Sequence, residues 1–555
     1  MTDSHGEGRR FFGAIKLIAA LTTLSRLLGL VRDMAIVALG ANRLTDAFWT
    51  AFKVPNLFRR LFGEGALAAA FVPVFTEVAE KEGWDKARSV LANAAGLLAV
   101  ILAALVVAIE IALLLWWVLA PGGWDRNLLL QLVMIVLPFM FTVCLLALGS
   151  AALHCRGHFG YPAFAPILLN VALIAGAAAV HCWFPGGDWP GLFLLAGAAV
   201  LAGVVQLGGV VWLLRSADLA VMPCLRPILA PVRRIGKLML PMMVPLGIVQ
   251  FSALFDAIYA WWMTATPEHP ALEVLGFTIG KPLQPGVVTC VYAADRLYQF
   301  PLGILAISLA TAVFPLLSRY AARGDLAGLR TATNRALRGS IFLGLPAGVG
   351  LVLLAEPAIT LIYRHGKFTP FDTSRAAFVL QMYSLGMWAY FARHILLRAF
   401  FAQKDTRSPL RVALVCAAAN VVLVVGLIFT PLRAGAIGLA TAVTAVANVL
   451  VLTWILRARW GRLGLREIGV SVFRTVAATA ALAAAVLLVR TYAAPWSERL
   501  ADQWRLPWLG SAVVVIAGIL LGGGVFLLTA AALRCRELRE LHGGKEFRPE
   551  QQQVG

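Results

Sequence analysis

Long apolar blocks separated by short polar breaks run the whole length of the chain. Blocks of about 20 or more such residues are long enough to cross a hydrocarbon layer of roughly 30 Å as helices. Only helices or closed barrels satisfy every backbone polar group in that layer. Taking each block between polar breaks as one element predicts about fourteen helices. Their cores fall at 14–38, 46–76, 89–119, 128–154, 163–184, 191–214 and 236–263, then at 287–318, 338–362, 375–401, 410–430, 435–456, 470–492 and 509–533. Breaks such as Pro121-Gly122-Gly123 and Pro185-Gly186-Gly187 carry turn chemistry. The expectation is an all-α integral membrane protein.

Composition removes the main competitor. Of 555 residues, 60% are hydrophobic and 14% charged, with a mean hydropathy of +0.82. A soluble chain of this length needs far more polar surface to cover its cores. The formal charge of +20 would fit a nucleic-acid partner, but its distribution does not. Lys and Arg gather in alternate short loops: Arg9 and Arg10; Lys81, Lys86 and Arg88; Arg215, Arg226, Arg233, Arg234 and Lys237; Arg319, Arg323 and Arg330; Lys404 and Arg407; Arg457, Arg459 and Arg462; Arg534, Arg536 and Arg539. The opposite loops are poorer, with Arg126, Lys281, Arg364, Lys367, Arg433, Arg499 and Arg505, and they carry Trp124, Trp183, Trp189, Trp496 and Trp508. The basic side is cytoplasmic by the positive-inside rule, which puts both termini in the cytoplasm. No long soluble segment is left to hold a nucleic acid. The polar start and Arg26 and Arg32 in the first block argue against a cleaved signal peptide. The seven cysteines include no CxxC pair, so neither a disulfide framework nor a metal site is expected.

The chain also repeats itself. Ala70-Phe71-Val72-Pro73 through Asp85 to Arg88 matches Ala312-Val313-Phe314-Pro315 through Asp325 to Arg330, Pro55 matches Pro301, and Ala152…Pro162 matches Ala399…Pro409. All share an offset of roughly 245 residues, the mark of a duplicated bundle. The reading is two parallel six-helix bundles, 1–218 and 219–462, related by a pseudo-two-fold normal to the membrane. Two extra helices follow in 463–540, then a polar cytoplasmic tail at 541–555. A substrate path is expected between the bundles.

Charges inside the blocks carry the chemistry. The first block holds Arg26, Arg32 and Asp33; the second Asp46, Lys53, Arg59, Arg60 and Glu64; the seventh Asp256; the eighth Asp295 and Arg296. An arginine at a helix centre costs roughly 2.5–3.5 kcal/mol against lipid. Snorkelling rescues residues near block ends, but not Arg26 or Arg59. A hydrated cavity is cheaper, and its excess positive charge suits an anion whose oxygens fit the guanidinium fork. The competing explanation is a set of internal salt bridges holding helices together. Pro55 with Gly63-Glu64-Gly65, and Pro301 with Gly303, interrupt two of these helices and permit bending.

These motifs resemble the MurJ/MviN family of lipid II flippases. The similarity begins at Leu24-Ser25-Arg26-Leu27-Leu28-Gly29-Leu30-Val31-Arg32-Asp33. It continues through Thr45-Asp46-Ala47-Phe48, Pro55-Asn56-Leu57-Phe58-Arg59-Arg60 and Glu64-Gly65-Ala66 to Ala70-Phe71-Val72-Pro73. Tyr292-Ala293-Ala294-Asp295-Arg296-Leu297, Phe300-Pro301, Gly366-Lys367-Phe368-Thr369 and Phe371-Asp372 extend it. The resemblance implies the multidrug/oligosaccharidyl-lipid/polysaccharide exporter superfamily and no enzymatic step or cofactor. It implies transport of the undecaprenyl-pyrophosphate-linked disaccharide-pentapeptide, lipid II, from the cytoplasmic to the periplasmic leaflet by alternating access. It further implies a cavity lined by helices one, two, seven and eight, and a tail groove on the last two. Arg26, Arg32, Arg59 and Arg296 become substrate-binding candidates, with Asp46, Glu64, Arg60 and Asp295 beside them. Asp256 resembles a residue of a sodium site; the drive stays open between sodium, protons and membrane potential. Cell-wall synthesis proteins are candidate partners. The stretch Thr264 to Gly286 is longer than the family leads one to expect. Other readings are an exporter of another lipid-linked oligosaccharide or of cationic drugs, a non-transporting scaffold, and a membrane glycosyltransferase using a prenyl-phosphate donor. The last needs clustered carboxylates near a sizeable loop, which the sequence lacks.

Overall fold

The computed structural model describes residues 4–120, 123–186, 189–225, 227–274, 277–461, 463–504 and 507–542. Pro121, Gly122, Gly187, Arg226, Arg462, Arg505 and most of the 541–555 tail lie outside the described residues. The chain divides into two compact units, Met1–Thr289 with His365–Lys367, and Cys290–Arg364 with Phe368–Gly555.

The first unit contains α1 (Ser4–Val37), α2 (Arg43–Phe58), a π-helical stretch (Arg59–Ala66), α3 (Leu67–Glu82), α4 (Trp84–Leu119), α5 (Trp124–Val136), α6 (Pro138–Cys155), α7 (Gly160–Trp183), α8 (Trp189–Ser216) and α9 (Ala230–Trp262). Helix α2 starts at an Asn42 cap, whose side chain accepts from the Leu44 and Thr45 amides while the Thr45 hydroxyl takes the Asn42 amide. Pro55 then removes a backbone donor within α2, and the chain widens into the π stretch one residue after that helix ends. Pro138 likewise breaks α5 from α6. Helix α9 packs on α2, α3 and the π stretch. The first compact unit therefore runs to Thr289, past the repeat boundary read at 218/219.

The segment 264–286 is more than a long loop. It folds into a two-stranded antiparallel hairpin, β1 (Ala271–Val274) and β2 (Phe277–Gly280), with Leu272 opposite Ile279. Alternation of Leu272-Glu273-Val274 with Phe277-Thr278-Ile279 gives the hairpin one apolar face. The Ala265 amide donates to the Leu283 carbonyl at 2.8 Å and closes its base.

From the second unit's border run α10 (Val287–Pro301), a second π stretch (Leu302–Ala306), α11 (Ile307–Ala322), α12 (Leu326–Tyr363), α13 (Pro370–Ser384), α14 (Met387–Ala402), α15 (Arg407–Leu427), α16 (Gly435–Trp460), α17 (Leu465–Trp504), α18 (Pro507–Ala532) and the short α19 (Arg536–His542). Joining α2 to α3, α5 to α6, α10 to α11 and α13 to α14, and setting α19 aside, the 19 helices form fourteen rods among the described residues. Eleven are long and apolar enough to cross a membrane by length and composition. The element order of α1–α8 recurs in α9–α16: a single rod, a rod with a π stretch, a long rod, a broken rod and two singles. Helices α3 and α11 are each 16 residues long. The chain is an all-α membrane protein with one hairpin insertion.

Two carboxylates fix elements in place. Asp46 is 1% exposed and accepts from the Gly286 amide at 2.8 Å and from both the amide and the hydroxyl of Thr289 at 2.8 Å. Gly286 has φ +90°, and a Cβ there would strike the Ala41 carbonyl, so glycine is required for the approach. In the second unit, Glu537, 3% exposed, accepts from Arg338 at 3.0 Å and from the Ser471 hydroxyl at 2.8 Å, while Arg335 meets Glu540 at 3.0 Å. This network holds α19 and α17 against α12.

In the α14–α15 turn, Asp405 accepts from the Arg407 and Ser408 amides at 3.0 Å and from Arg459 at 2.6 Å. Burial raises its pKa, but the bonds from Ser408 and Arg459 outweigh this and hold it at about 2.

Asp46→Ala leaves buried donors unpaired and is expected to cost roughly 2–5 kcal/mol, read as a lower melting midpoint of the detergent-solubilised protein; Asp46→Asn should lose less. An unchanged midpoint in the alanine variant refutes the clamp. Asp405 contributes stability above the ordinary carboxylate pKa that is lost as pH falls through its folded value. Wild type should therefore lose stability between about pH 4 and pH 2 relative to an Asp405→Asn variant. Parallel acid-melting curves would contradict that assignment.

Candidate substrate-binding site

Helix α1 separates its two arginines. Ser25, Gly29 and Arg32 follow a helical spacing of four and three, so they share the face that packs on α7. There Asn170 donates to the Ser25 carbonyl at 2.9 Å and accepts from Arg32 at 3.0 Å. Arg32 also meets Asp33 at 2.6 Å, and both are buried. For Arg32, the salt-bridge alternative describes the observed contacts. Arg26 stands one residue on from Ser25, about 100° around the helix. It is exposed, and no carboxylate among the described residues lies within ion-pair distance of it. Its neighbours Leu27 and Val31 are exposed apolar side chains.

A second group forms where α2, the π stretch and α9 meet. Lys53 donates to the Ala253 carbonyl at 3.5 Å, and Asp256 lies half-buried one turn further along α9. Arg59 opens the π stretch, half-buried, with its Nε donating to Asn56 at 2.8 Å. Arg60 donates to Gln250 of α9 at 3.4 Å, and its buried Nε has no acceptor among the described residues. Glu64 falls within the π stretch, and its side chain lies outside the described residues. Asp46 is committed to the Gly286–Thr289 backbone and the Thr289 hydroxyl, as above.

The second unit holds the remaining candidates. Asp295 accepts from Gln299 at 2.7 Å, and the Arg296 guanidinium lies 5.8 Å from the Tyr292 ring centre. Beside them, Tyr298 stacks on Tyr383 at 4.7 Å and lies 5.4 Å from Tyr390. Helix α14 adds Arg393, half-buried with an Nε that meets no acceptor among the described residues, and Arg398 over the Phe314 ring at 5.2 Å. Sequence reading passed over Arg393 and Arg398, although insertion cost applies to them as it does to Arg59. It also passed over Asn170 and Gln250, single neutral amides in apolar helices, which turn out to be the partners of Arg32 and Arg60.

The structure thus brings together Lys53, Arg59, Arg60, Gln250 and Asp256. It pairs Arg32 with Asp33 and Asn170, commits Asp46 to the Gly286 and Thr289 amides and the Thr289 hydroxyl, and among the described residues leaves Arg26 without a carboxylate. Among the described residues no three His, Cys, Asp or Glu side chains gather as metal ligands, and all seven cysteines are free. Guanidinium donors beside neutral amides bind anionic oxygens; they offer no nucleophile–base pair.

Comparison with known proteins identifies the family. The family model for the lipid II flippase MurJ matches residues 36–500. A probable lipid II flippase MurJ of Rhizobium meliloti is 33% identical over 457 residues, covering 80% of this chain and 81% of that protein. The lipid II flippase MurJ of Burkholderia cenocepacia is 31% identical over 469 residues, covering 81% and 84%. Among solved structures, a lipid II flippase MurJ in an inward closed conformation shares the fold at a TM-score of 0.71 and 21% identity, covering 95% of this chain and 99% of that one. An inward-facing multidrug resistance MATE transporter of the MOP superfamily gives 0.62 at 15% identity, covering 81% and 98%. With a family model spanning most of its length and relatives above 30% identity across four-fifths of it, the chain belongs to the MurJ family of lipid II flippases.

Proposed function

We propose that this protein moves lipid II across the bacterial inner membrane, from the cytoplasmic to the periplasmic leaflet, by alternating access and without covalent chemistry. Family membership supplies the substrate class. The observation in the chain that carries the binding assignment is the contrast among arginines. Arg32 is neutralised by Asp33, whereas among the described residues Arg26 meets no carboxylate within ion-pair distance and the buried Arg60 Nε meets no acceptor. Such guanidinium groups are satisfied by an anion that arrives and leaves, and the diphosphate of lipid II offers several oxygens to a planar fork. Arg26, Arg59 and Arg60 of the first unit are assigned to that diphosphate; Arg296 of the second unit is a separate substrate-binding candidate. Arg32 is assigned to holding α1 on α7.

Basic residues on alternate loops support cytoplasmic termini. Asp256, a turn from the Lys53 contact, is the carboxylate assigned to ion coupling. A membrane potential adds a drive of roughly 2.3 kcal/mol per charge per 100 mV on the net charge moved.

In liposomes carrying labelled lipid II, Arg26→Ala and the Arg59→Ala/Arg60→Ala pair are expected to slow leaflet exchange at least about tenfold while leaving the melting midpoint near wild type. Arg26→Lys should also be impaired, because charge is kept but the fork is lost. Arg32→Ala is expected to lower the melting midpoint first. Full exchange by a variant with Arg26, Arg59, Arg60 and Arg296 all changed to alanine refutes the assignment. Exchange of unrelated lipid-linked oligosaccharides at equal rate would favour a general exporter. Asp256→Asn should remove any sodium or proton dependence of exchange; dependence that persists unchanged places the coupling elsewhere.

A further inference from the structure

The hairpin between α9 and α10 leaves one apolar face open. Cross-strand pairing of Leu272 with Ile279 puts both side chains on one side, and Phe277, two residues before Ile279, shares it. Glu273 and Thr278, paired with each other, take the opposite side. Phe277 is 73% exposed and Ile279 39%. The base of the hairpin is the reverse: Met263, Thr264 and Leu283 are buried, and the Leu283 amide donates to the Met263 carbonyl at 3.3 Å. The exposed apolar side chains belong to the strands, and a two-stranded hairpin on its own is marginal in water.

Its neighbours set its height. The Glu268 carboxylate accepts from the Trp124 amide at 3.3 Å, and a Cβ at Gly123 would strike that carboxylate, so the start of α5 and the hairpin approach closely there. Trp124 opens the membrane-length rod Trp124–Cys155. The rod Val287–Ala322 opens one residue after Gly286, whose amide Asp46 holds. The hairpin therefore stands where apolar rods begin, at the level where hydrocarbon gives way to headgroups. Trp124 and Trp262, the last residue of α9, are both exposed there, as in an interfacial aromatic belt. Area and charge then choose the occupant. An aromatic side chain buries at most about 250 Å², and a stable protein interface takes roughly 800 Å² from each partner, so Phe277 with Ile279 falls well short of one. A leaflet sets no such minimum. Segment 264–286 carries Glu268 and Glu273 against Lys281, which gives anionic headgroups no net charge to attract. The open edges of two paired strands bar the hairpin from hydrocarbon, but not from the hydrated headgroup layer.

We infer that the hairpin is a membrane-interface anchor, lying in the headgroup layer of the leaflet at which α5 and α10 begin. Phe277 and Ile279 dip to the acyl boundary, while Glu273 and Thr278 face water. The contact is apolar, so it is indifferent to the charge of the lipid.

The test places the photo-crosslinker p-benzoylphenylalanine singly at Glu273, Phe277, Thr278 or Ile279 of the full-length protein. Each variant is reconstituted in vesicles of phosphatidylcholine, or of phosphatidylcholine with phosphatidylglycerol, and irradiated. Intact-protein mass spectrometry then measures phospholipid adducts. Phe277→p-benzoylphenylalanine and Ile279→p-benzoylphenylalanine should give at least about tenfold more adduct than the two variants on the opposite side, with equal yield in both vesicles. Should the Phe277 variant fail to elute as a single species, Ile279 against Thr278 supplies the same contrast. Uniformly low yield overturns the proposal by showing the hairpin clear of the membrane, and equal yield from both sides overturns the facing. A yield at Phe277 that rises with phosphatidylglycerol overturns the apolar contact. The same variant irradiated in native membranes should again take lipid; a crosslink there to a second copy or to another protein in place of lipid overturns the choice of occupant. Because the readout is lipid contact rather than exchange between leaflets, the outcome is independent of the transport reading.

Discussion

A guanidinium group cannot lie against hydrocarbon at low cost, and the interior of this chain is organised around that constraint. At roughly 2.5–3.5 kcal/mol for each arginine at a helix centre, several unpaired ones would consume much of a domain's net stability of about 5–15 kcal/mol. The chain meets the constraint in distinct ways. Arg32 and Arg338 are buried and neutralised by Asp33 and Glu537, each with a neutral side chain completing the contact, Asn170 or Ser471. Arg534 follows the end of α18, and Arg474, within α17, donates to its carbonyl. Among the described residues Arg26 and Arg60 follow neither course, and the proposed assignment rests on that contrast.

The same economy explains why the carboxylates do so little binding of their own. Asp46 and Glu537 are almost fully buried, and each is surrounded by donors that belong to the chain. A buried carboxylate in that state is a fastener, because releasing it would leave both it and its donors unsatisfied. Asp46 fastens α2 to the backbone turn before α10, and in doing so sets the register from which Lys53 and Arg59 project further along the same rod.

Most of the architecture was legible because lipid imposes it. Each span had to be an uninterrupted helix of membrane length, and the apolar blocks mark all fourteen; the broken rods α5–α6 and α13–α14 still read as single blocks because the breaks at Pro138 and Gly386 carry no charge. The hairpin at 271–280 was not legible as such, since two four-residue strands in a polar insertion give too short an alternation to separate from a loop. At the site, charge was visible and pairing was not. Arg26 and Arg32 look alike in a sequence six residues apart; only the α7 face that carries Asn170 tells them apart. Arg393 and Arg398 obeyed the rule that exposed Arg59, but no interrupting proline or glycine motif drew the eye to α14.

The two π-helical stretches carry the last step. They occur at corresponding points of the duplicated order, each between a proline-containing helix and a 16-residue helix. A wider turn retained at the same place in both copies is poorly explained by packing accident, since the residues around it have diverged. Its charge, however, belongs to one copy: the first stretch reads Arg59-Arg60-Leu61-Phe62-Gly63-Glu64-Gly65-Ala66, the second Leu302-Gly303-Ile304-Leu305-Ala306. Geometry shared by both halves fits a mechanical duty, a place where each rod can bend as its backbone exchanges hydrogen-bond partners. Charge confined to one of the two stretches gives that turn a further, polar role that its counterpart lacks. The wider turn recurs in both copies while its charge does not, which is the division expected if both rods bend and only the first turn carries a polar duty as well.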